Sequence, residues 1–260
     1  MRWRKNFIDG TFGDGTTLLT TGVIDRPRGV VLLFHGVHSC ASSEVGNKYA
    51  RIGLALAERG FMPVLAETSR KVRCRRNYDG EPLRWIADAF RGKTYAQELQ
   101  DCCNAYRSVR SLYAHLPLTL WGFSLGGLSA LLIAGGAVSS AVPRDIEGLI
   151  LCGSGDKVYA ENEPIFQLPI LDTLKHSDEL LKAAAALKVR WARVFRGSED
   201  ATFPPDACRR LYDALAVDDK DYFEVEGSDH SFRLYHGAPS DRPLTEVYRR
   251  VPQLFSLHGA

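Results

Sequence analysis

The chain has 260 residues, of which 45% are hydrophobic and 25% charged, and its formal net charge at pH 7 is +2. This composition is typical of one ordinary soluble globular domain and excludes a disordered chain. No apolar run approaches the ~18 residues of a membrane span, and the basic N-terminus lacks the apolar core of a secretory signal. The six cysteines show no C-x-x-C or Cys/His metal spacing, which predicts reduced thiols, a cytoplasmic location and no metal site.

The first third of the chain predicts a sheet with a helix against it. Glycine-separated, β-prone pieces between Phe7 and Ile24 predict an antiparallel hairpin at the sheet edge. The continuous apolar run Val30–Phe34 is typical of a strand buried on both faces, and it leads directly into the segment His35–His38. An amphipathic helix is expected over Asn47–Arg59, followed by a strand at Phe61–Leu65.

Residues 70–93 show no clean hydrophobic periodicity and predict a long loop, which in a compact domain is usually functional or mobile. The segment is strongly basic, and one hypothesis is that Arg73, Arg75 and Arg76 recruit an acidic or phosphorylated substrate. The alternative is a solvated basic loop. Nucleic-acid binding is not expected, because the rest of the chain is not basic.

The middle of the chain predicts a strand that turns abruptly into a helix. Thr94 and Gln97 have the spacing of a capping box at the start of a helix that runs to about Tyr113. An apolar strand follows and ends in Gly122-Phe123-Ser124-Leu125-Gly126, after which apolar residues recur at helical spacing. A turn this tight predicts a positive φ at Ser124 and leaves no room for a Cβ at the flanking glycines.

Strands and helices alternate through the rest of the chain, which predicts an α/β fold with a mostly parallel sheet and helices on both faces. We expect a single domain over residues 1–260, with a polar insertion at about 156–188. The further elements expected are a strand at Ile146–Cys152, a helix around Asp178–Leu187, an edge strand at Val189–Phe195, a helix over Asp206–Leu215, a last strand at Tyr222–Glu226 and a helix near Leu244–Val251.

The G-x-S-x-G pattern at Ser124 resembles the nucleophile elbow of the α/β-hydrolase family. The resemblance implies that Ser124 is a nucleophile, that His230 beyond the last strand is its base, and that Asp200 after the preceding strand orients the base. The chain order serine, aspartate, histidine is that of the family. The resemblance also implies that the insertion at 156–188 is a small cap over the site.

Other site residues remain open at this stage. By the same resemblance, the backbone N–H groups of Val37 and Leu125 would form an oxyanion hole, and His35 and His38 beside it are candidates for substrate binding together with the arginines of the basic segment. Asp156 also follows a strand and could replace Asp200 as the triad acid. The neighbouring acids Glu199 and Asp229 are expected to be solvated loop charges.

The function implied by the resemblance is a serine hydrolase that cleaves a small-molecule carboxylic ester through an acyl-enzyme, without a metal or an organic cofactor. A thioesterase, an amidase or an acyltransferase on the same fold is an alternative, because a fold does not fix a reaction. An alternative from another class is a non-catalytic ligand-binding protein. No motif points to the physiological substrate or to an oligomeric state.

Overall fold

A computed structural model describes residues 1–37, 40–78, 81–139, 141, 145–159, 170, 173 and 176–256. In this part of the chain ten strands form a sheet in the order β1-β2-β4-β3-β5-β6-β7-β8-β9-β10. The strands are β1 (Arg2–Asp9), β2 (Thr16–Val23), β3 (Gly29–Phe34), β4 (Phe61–Glu67), β5 (Leu118–Phe123), β6 (Ile146–Cys152), β7 (Trp191–Glu199), β8 (Asp219–Asp229), β9 (Leu234–Tyr235) and β10 (Ala238–Pro239).

The strand directions confirm the predicted mixed sheet. Strands β3 to β8 pair in parallel, whereas β1 pairs with β2, and β2 with β4, in antiparallel fashion. The N-terminal hairpin is therefore present at the sheet edge, although it begins at Arg2, before the predicted start at Phe7. All carboxyl ends of the parallel strands meet at one edge, where ligands bind in open α/β sheets.

Helices cover both faces of this sheet. They are α1 (Lys48–Glu58), α2 (Pro82–Phe90), α3 (Tyr95–Leu112), α4 (Leu125–Ala134), α5 (Ser177–Ala185), α6 (Pro205–Asp213), α7 (Arg242–Arg249) and α8 (Pro252–Phe255). Alternate strand residues feed two separate apolar cores: Leu120 packs in the core under α2 to α6, and Trp121 in the core under α1, α7 and α8. None of the described helices is both long and apolar enough to cross a membrane.

The basic segment 70–93 is more ordered than the sequence predicted, because it contains α2. Trp85, Ile86, Ala89 and Phe90 are all buried and supply the inner face of this helix. Trp85 and Ile86 are repeated four residues later by Ala89 and Phe90, which is a helical spacing. The charged residues around them obscured this repeat in the sequence. The prediction of one long loop was therefore wrong over Pro82–Phe90.

Strand β7 lies between β6 and β8 and not near the sheet edge, as its alternating apolar and basic residues suggested. The side chains of Arg193 and Arg196 are buried and reach across to β8, where they pair with Asp219 and Glu224. Charges on an inner strand are thus accommodated by ion pairs with the neighbouring strand.

Within the predicted cap at 156–188, residues 160–169, 171, 172, 174 and 175 lie outside the described residues. Helix α5 belongs to the same insertion and packs against α4 and α6, with Leu180, Ala183 and Ala184 buried in the core. This described part of the insertion is a helix of the layer that covers the sheet. The cap itself remains a prediction.

Candidate active site

Ser124 lies at a sharp turn between β5 and α4, with φ 53° and ψ −122°. The turn is tight enough that a Cβ on Gly122 would lie 2.3 Å from the carbonyl oxygen of Gly126. A Cβ on Gly126 would lie 2.5 Å from the carbonyl oxygen of His35. Any side chain at either position would collide with backbone, so the two glycines permit the backbone at Ser124 that was predicted from the sequence.

The backbone of Ser124 is fixed by hydrogen bonds to its neighbours. Its N–H donates to the carbonyl of Cys152 at 2.8 Å, and its carbonyl accepts from the hydroxyl of Ser154 at 2.9 Å. Ser154 is fully buried and was not identified from the sequence. The half-buried Ser124 side chain faces Gly36, where an added Cβ would lie 3.1 Å from Ser124 Cβ.

His230 and Asp200 are joined by a hydrogen bond of 2.9 Å between Nδ1 and Oδ2. The other carboxylate oxygen of Asp200 accepts from the N–H groups of Thr202 at 2.7 Å and Phe203 at 3.1 Å. Asp200 is buried, whereas the His230 side chain is 25% exposed. Because a carboxylate only accepts, it favours the tautomer of His230 with the proton on Nδ1, which leaves Nε2 able to accept a proton.

The end of β6 brings Ser124 and His230 to the same edge of the sheet. Cys152, the last residue of β6, accepts the hydrogen bond from Ser124, and the next residue is Gly153. A Cβ on Gly153 would lie 3.1 Å from Nδ1 of His230, so the imidazole packs directly against this glycine. The ring of Phe203 also packs against the imidazole, with 5.7 Å between the two ring centroids.

Arg196 holds the loop that carries Asp200. Its buried guanidinium donates to the carbonyl of Asp200 at 3.1 Å and to that of Phe203 at 3.3 Å, and it pairs with Glu224 at 3.1 Å. One arginine thus fixes both ends of the turn whose N–H groups bind the carboxylate. The sequence carried no signal for this role, since Arg196 only contributed to an alternating strand pattern.

The alternative acids have other partners. Asp156 forms a two-pronged ion pair with Arg210, at 2.8 and 3.1 Å. Asp229 accepts from the backbone N–H groups that follow His230, at 2.9 and 3.0 Å, and Glu199 is 2.7 Å from Nδ1 of His236. Of these four acids, Asp200 is the one bonded to His230.

The predicted oxyanion donors Val37 and Leu125 are chain neighbours of two residues of the turn: Leu125 follows Ser124, and Val37 follows Gly36, which faces Ser124. Val37 is buried in the turn after β3, next to Gly36. Leu125 is the first residue of α4, where N–H groups have no intrahelical acceptor and the helix dipole favours negative charge. Their role as oxyanion donors remains a prediction.

His35, a predicted substrate-binding residue, is buried and engaged by the protein itself. Nδ1 is 2.8 Å from the carbonyl of Gly36, and Nε2 lies 3.3 Å from the N–H of Thr68 and 3.1 Å from the Arg70 guanidinium. Burial, reinforced by the charge of Arg70, lowers the pKa of His35 to about 4. The ring is therefore neutral at pH 7, and neither nitrogen is left to contact a ligand. His38 lies outside the described residues.

The three arginines of the substrate hypothesis differ in their surroundings. Arg73 is held by ion pairs with Asp14 and Glu67. Arg75 is exposed, and its guanidinium lies 4.3 Å from the centroid of the Trp85 ring without a carboxylate partner in the described part of the chain. The side chain of Arg76 lies outside the described residues. In the same part of the chain, no group of three His, Cys, Asp or Glu side chains could hold a metal ion.

Neither family models nor curated proteins match this sequence, but solved structures do match its fold. Dienelactone hydrolase from Anabaena variabilis is 15% identical, with 98% of each chain covered and a TM-score of 0.64. A monoglyceride lipase variant from Saccharomyces cerevisiae is 14% identical over 98% of this chain and 94% of its own, with a TM-score of 0.70. The thioesterase domain of the curacin biosynthetic pathway is 13% identical over 91% of this chain and 96% of its own, with a TM-score of 0.61. The chain therefore has the α/β-hydrolase fold, as the resemblance at Ser124 implied.

Proposed function

We propose that the protein is a serine hydrolase that cleaves a small-molecule carboxylic ester. The observation that carries the proposal is the bond between His230 and Asp200 at the sheet edge where Ser124 occupies its positive-φ turn. These residue types form a nucleophile, a base and a group that orients the base. The solved structures of similar fold are named as hydrolases of esters, lactones and thioesters, which favours acyl transfer to water.

In the proposed reaction Ser124 Oγ attacks the ester carbonyl carbon while Nε2 of His230 takes the hydroxyl proton. The carbonyl oxygen becomes an oxyanion held by the N–H groups of Leu125 and Val37; one such donor contributes roughly 2.7–4 kcal/mol. The C–O bond to the alcohol then breaks, and the imidazolium returns the proton to the departing oxygen. This leaves an acyl-enzyme and a free alcohol.

The second half of the reaction releases the acid. Water replaces the alcohol, His230 removes one of its protons, and the hydroxide adds to the acyl carbon. Collapse of this intermediate breaks the bond to Ser124 Oγ, which recovers the proton from His230. Asp200, held by Arg196, stabilises the imidazolium in both steps and keeps its proton on Nδ1.

A fluorophosphonate probe tests the proposal, because it labels only an activated serine. We expect wild-type protein to be labelled on Ser124, as mapped by peptide mass spectrometry, and Ser124→Ala to remain unlabelled. Asp200→Asn is expected to slow labelling by about 10⁴-fold, because the base takes the wrong tautomer. Its matched control is Asp156→Asn, which breaks only the pair with Arg210 and should label at close to the wild-type rate.

Failure of the wild type to react would contradict the proposal and favour a non-catalytic binding protein. Labelling that survives Ser124→Ala would assign the nucleophile elsewhere.

A thioesterase is the second candidate, favoured by the similarity to the curacin thioesterase domain. A panel of nitrophenyl esters of rising acyl length, with matched thioesters, decides between the two through kcat/KM. The cytoplasmic location stays a prediction.

A further inference from the structure

A buried lysine contacts both sides of the proposed site. Lys48 is the first residue of α1, and the residue is only 7% exposed. Its ammonium donates a hydrogen bond of 2.9 Å to the carbonyl of Ser231, the residue that follows His230. It also lies 3.7 Å from the centroid of the ring of Phe123, and Phe123 directly precedes Ser124 in the chain.

The Phe123 ring is itself packed among other aromatic rings. Phe123 packs edge to face against Tyr49, at 5.5 Å between centroids, and against Phe232, at 6.1 Å. Phe232 belongs to the loop of His230, and Tyr49 follows Lys48 on α1. Lys48 therefore closes an apolar cluster that joins α1, the end of β5 and the loop after β8.

Packing alone does not account for a lysine at this place. The ammonium is buried and has no carboxylate contact in the described part of the chain, and a cation in the first turn of a helix opposes the helix dipole. Burial lowers the pKa of Lys48 to about 7; Arg233 and Arg51 act in the same direction, while Asp229 and Cys152 oppose it. A methionine would fill the space without these penalties.

We propose that Lys48 is a positioning residue that holds the His230 loop against the strand carrying Ser124, through the carbonyl of Ser231 and the ring of Phe123. This role rests on the function proposed above, because the relative position of His230 and Ser124 matters only if the two act as base and nucleophile. The lysine amine donates a hydrogen bond to this carbonyl, which a methionine of similar size could not do. In this role the ammonium is engaged by the protein and not by the substrate, so substrate affinity should not depend on it.

The test compares Lys48→Met with Lys48→Arg, which keeps a cationic donor, and with Arg51→Met, which removes a cation one turn along the same helix. We expect kcat for a nitrophenyl ester to fall at least about tenfold in K48M with KM within about twofold of wild type. K48R should recover most of kcat, and R51M should resemble the wild type.

A second readout does not depend on catalysis. The Nδ1 proton of His230, bonded to Asp200, should give a downfield imidazole NMR signal that is identified by its loss in His230→Gln. We expect this signal to broaden or shift in K48M and to persist in K48R and R51M. If the wild type hydrolyses no ester, the proposed function fails and this signal alone decides the role of Lys48.

A folded K48M with the wild-type signal, or with the wild-type kcat, would overturn the positioning role. Equal losses in K48M and R51M would also overturn it, because the effect would then belong to charge on α1 in general. Should K48M not fold, Lys48→Gln replaces it: Gln keeps an N–H donor slightly short of Ser231 but no charge. The same signal and the same kcat then decide, with unchanged values in K48Q counting against the proposal.

Discussion

The loops after β3 and β8 each carry a histidine, yet the two imidazoles have opposite surroundings. His35 is 2% exposed and both of its nitrogens are bonded within the protein. The His230 side chain is 25% exposed, and it is Nδ1 that the protein holds, through Asp200. The comparison supports the proposed role of His230 as the base, because one of its nitrogens is fixed by the protein and the other is left for a proton. Nearness to the elbow is not sufficient.

The strongest way to break this comparison is to replace each histidine by glutamine. We expect His230→Gln to lose about 10⁴-fold or more in kcat while it keeps its fold, because the base is gone. His35→Gln should keep activity within about tenfold but lose ~1–3 kcal/mol of unfolding free energy, because buried donors lose their acceptor. Ester kinetics and urea unfolding measure the two effects. Comparable activity losses in both variants would refute the contrast.

The burial of His35 should also make the free energy of unfolding depend on pH. The pKa of His35 is about 4 in the folded protein against 6.5 for the free side chain, so the unfolded chain binds the proton first as pH falls. Its neutral form contributes stability that is present above pH 6.5 and lost between pH 6.5 and about 4, on the order of 3 kcal/mol. Urea unfolding of wild type and H35Q at a series of pH values should show their difference shrinking over this window. A constant difference would contradict the assignment.

The smallest expected effect concerns Arg75, the candidate arginine that has no carboxylate partner in the described part of the chain. If Arg75 recruits acidic substrates, Arg75→Gln should raise KM for an acidic ester by about two- to fivefold and leave a neutral ester unchanged, as exposed charges interact weakly. Arg84→Gln, another exposed cation, which pairs with Glu81, is the control. Equal changes for both esters would leave Arg75 as a solvated surface charge.

Local signals predicted much of the fold. The capping box at Thr94 and Gln97 is present, α1 begins after Asn47, and the backbone at Ser124 has the expected positive φ. Each of these features depends on residues a few positions apart, where the sequence states the partners directly. The parallel sheet was predicted from the alternation of strands and helices, and the apolar run Val30–Phe34 is buried throughout, as a strand covered on both faces should be.

The contacts that complete the site could not be predicted in this way. Ser154 reaches Ser124 across 30 residues, and Lys48 reaches Ser231 across 183. Each is an ordinary polar residue in its own segment, and only the packing of distant segments gives it a partner. Helix α2 was missed for a different reason, since charged residues obscured the repeat of Trp85, Ile86, Ala89 and Phe90.

The strained backbone at Ser124 affects how the sequence at this position would be expected to evolve. A non-glycine residue at φ 53° and ψ −122° is held in a conformation that costs on the order of 1–3 kcal/mol, which glycine would avoid. The residue proposed as the nucleophile thus also weakens the fold, so selection for durability alone would remove it. A descendant freed from catalysis would be expected to drift toward glycine at this position, becoming sturdier as it became inert.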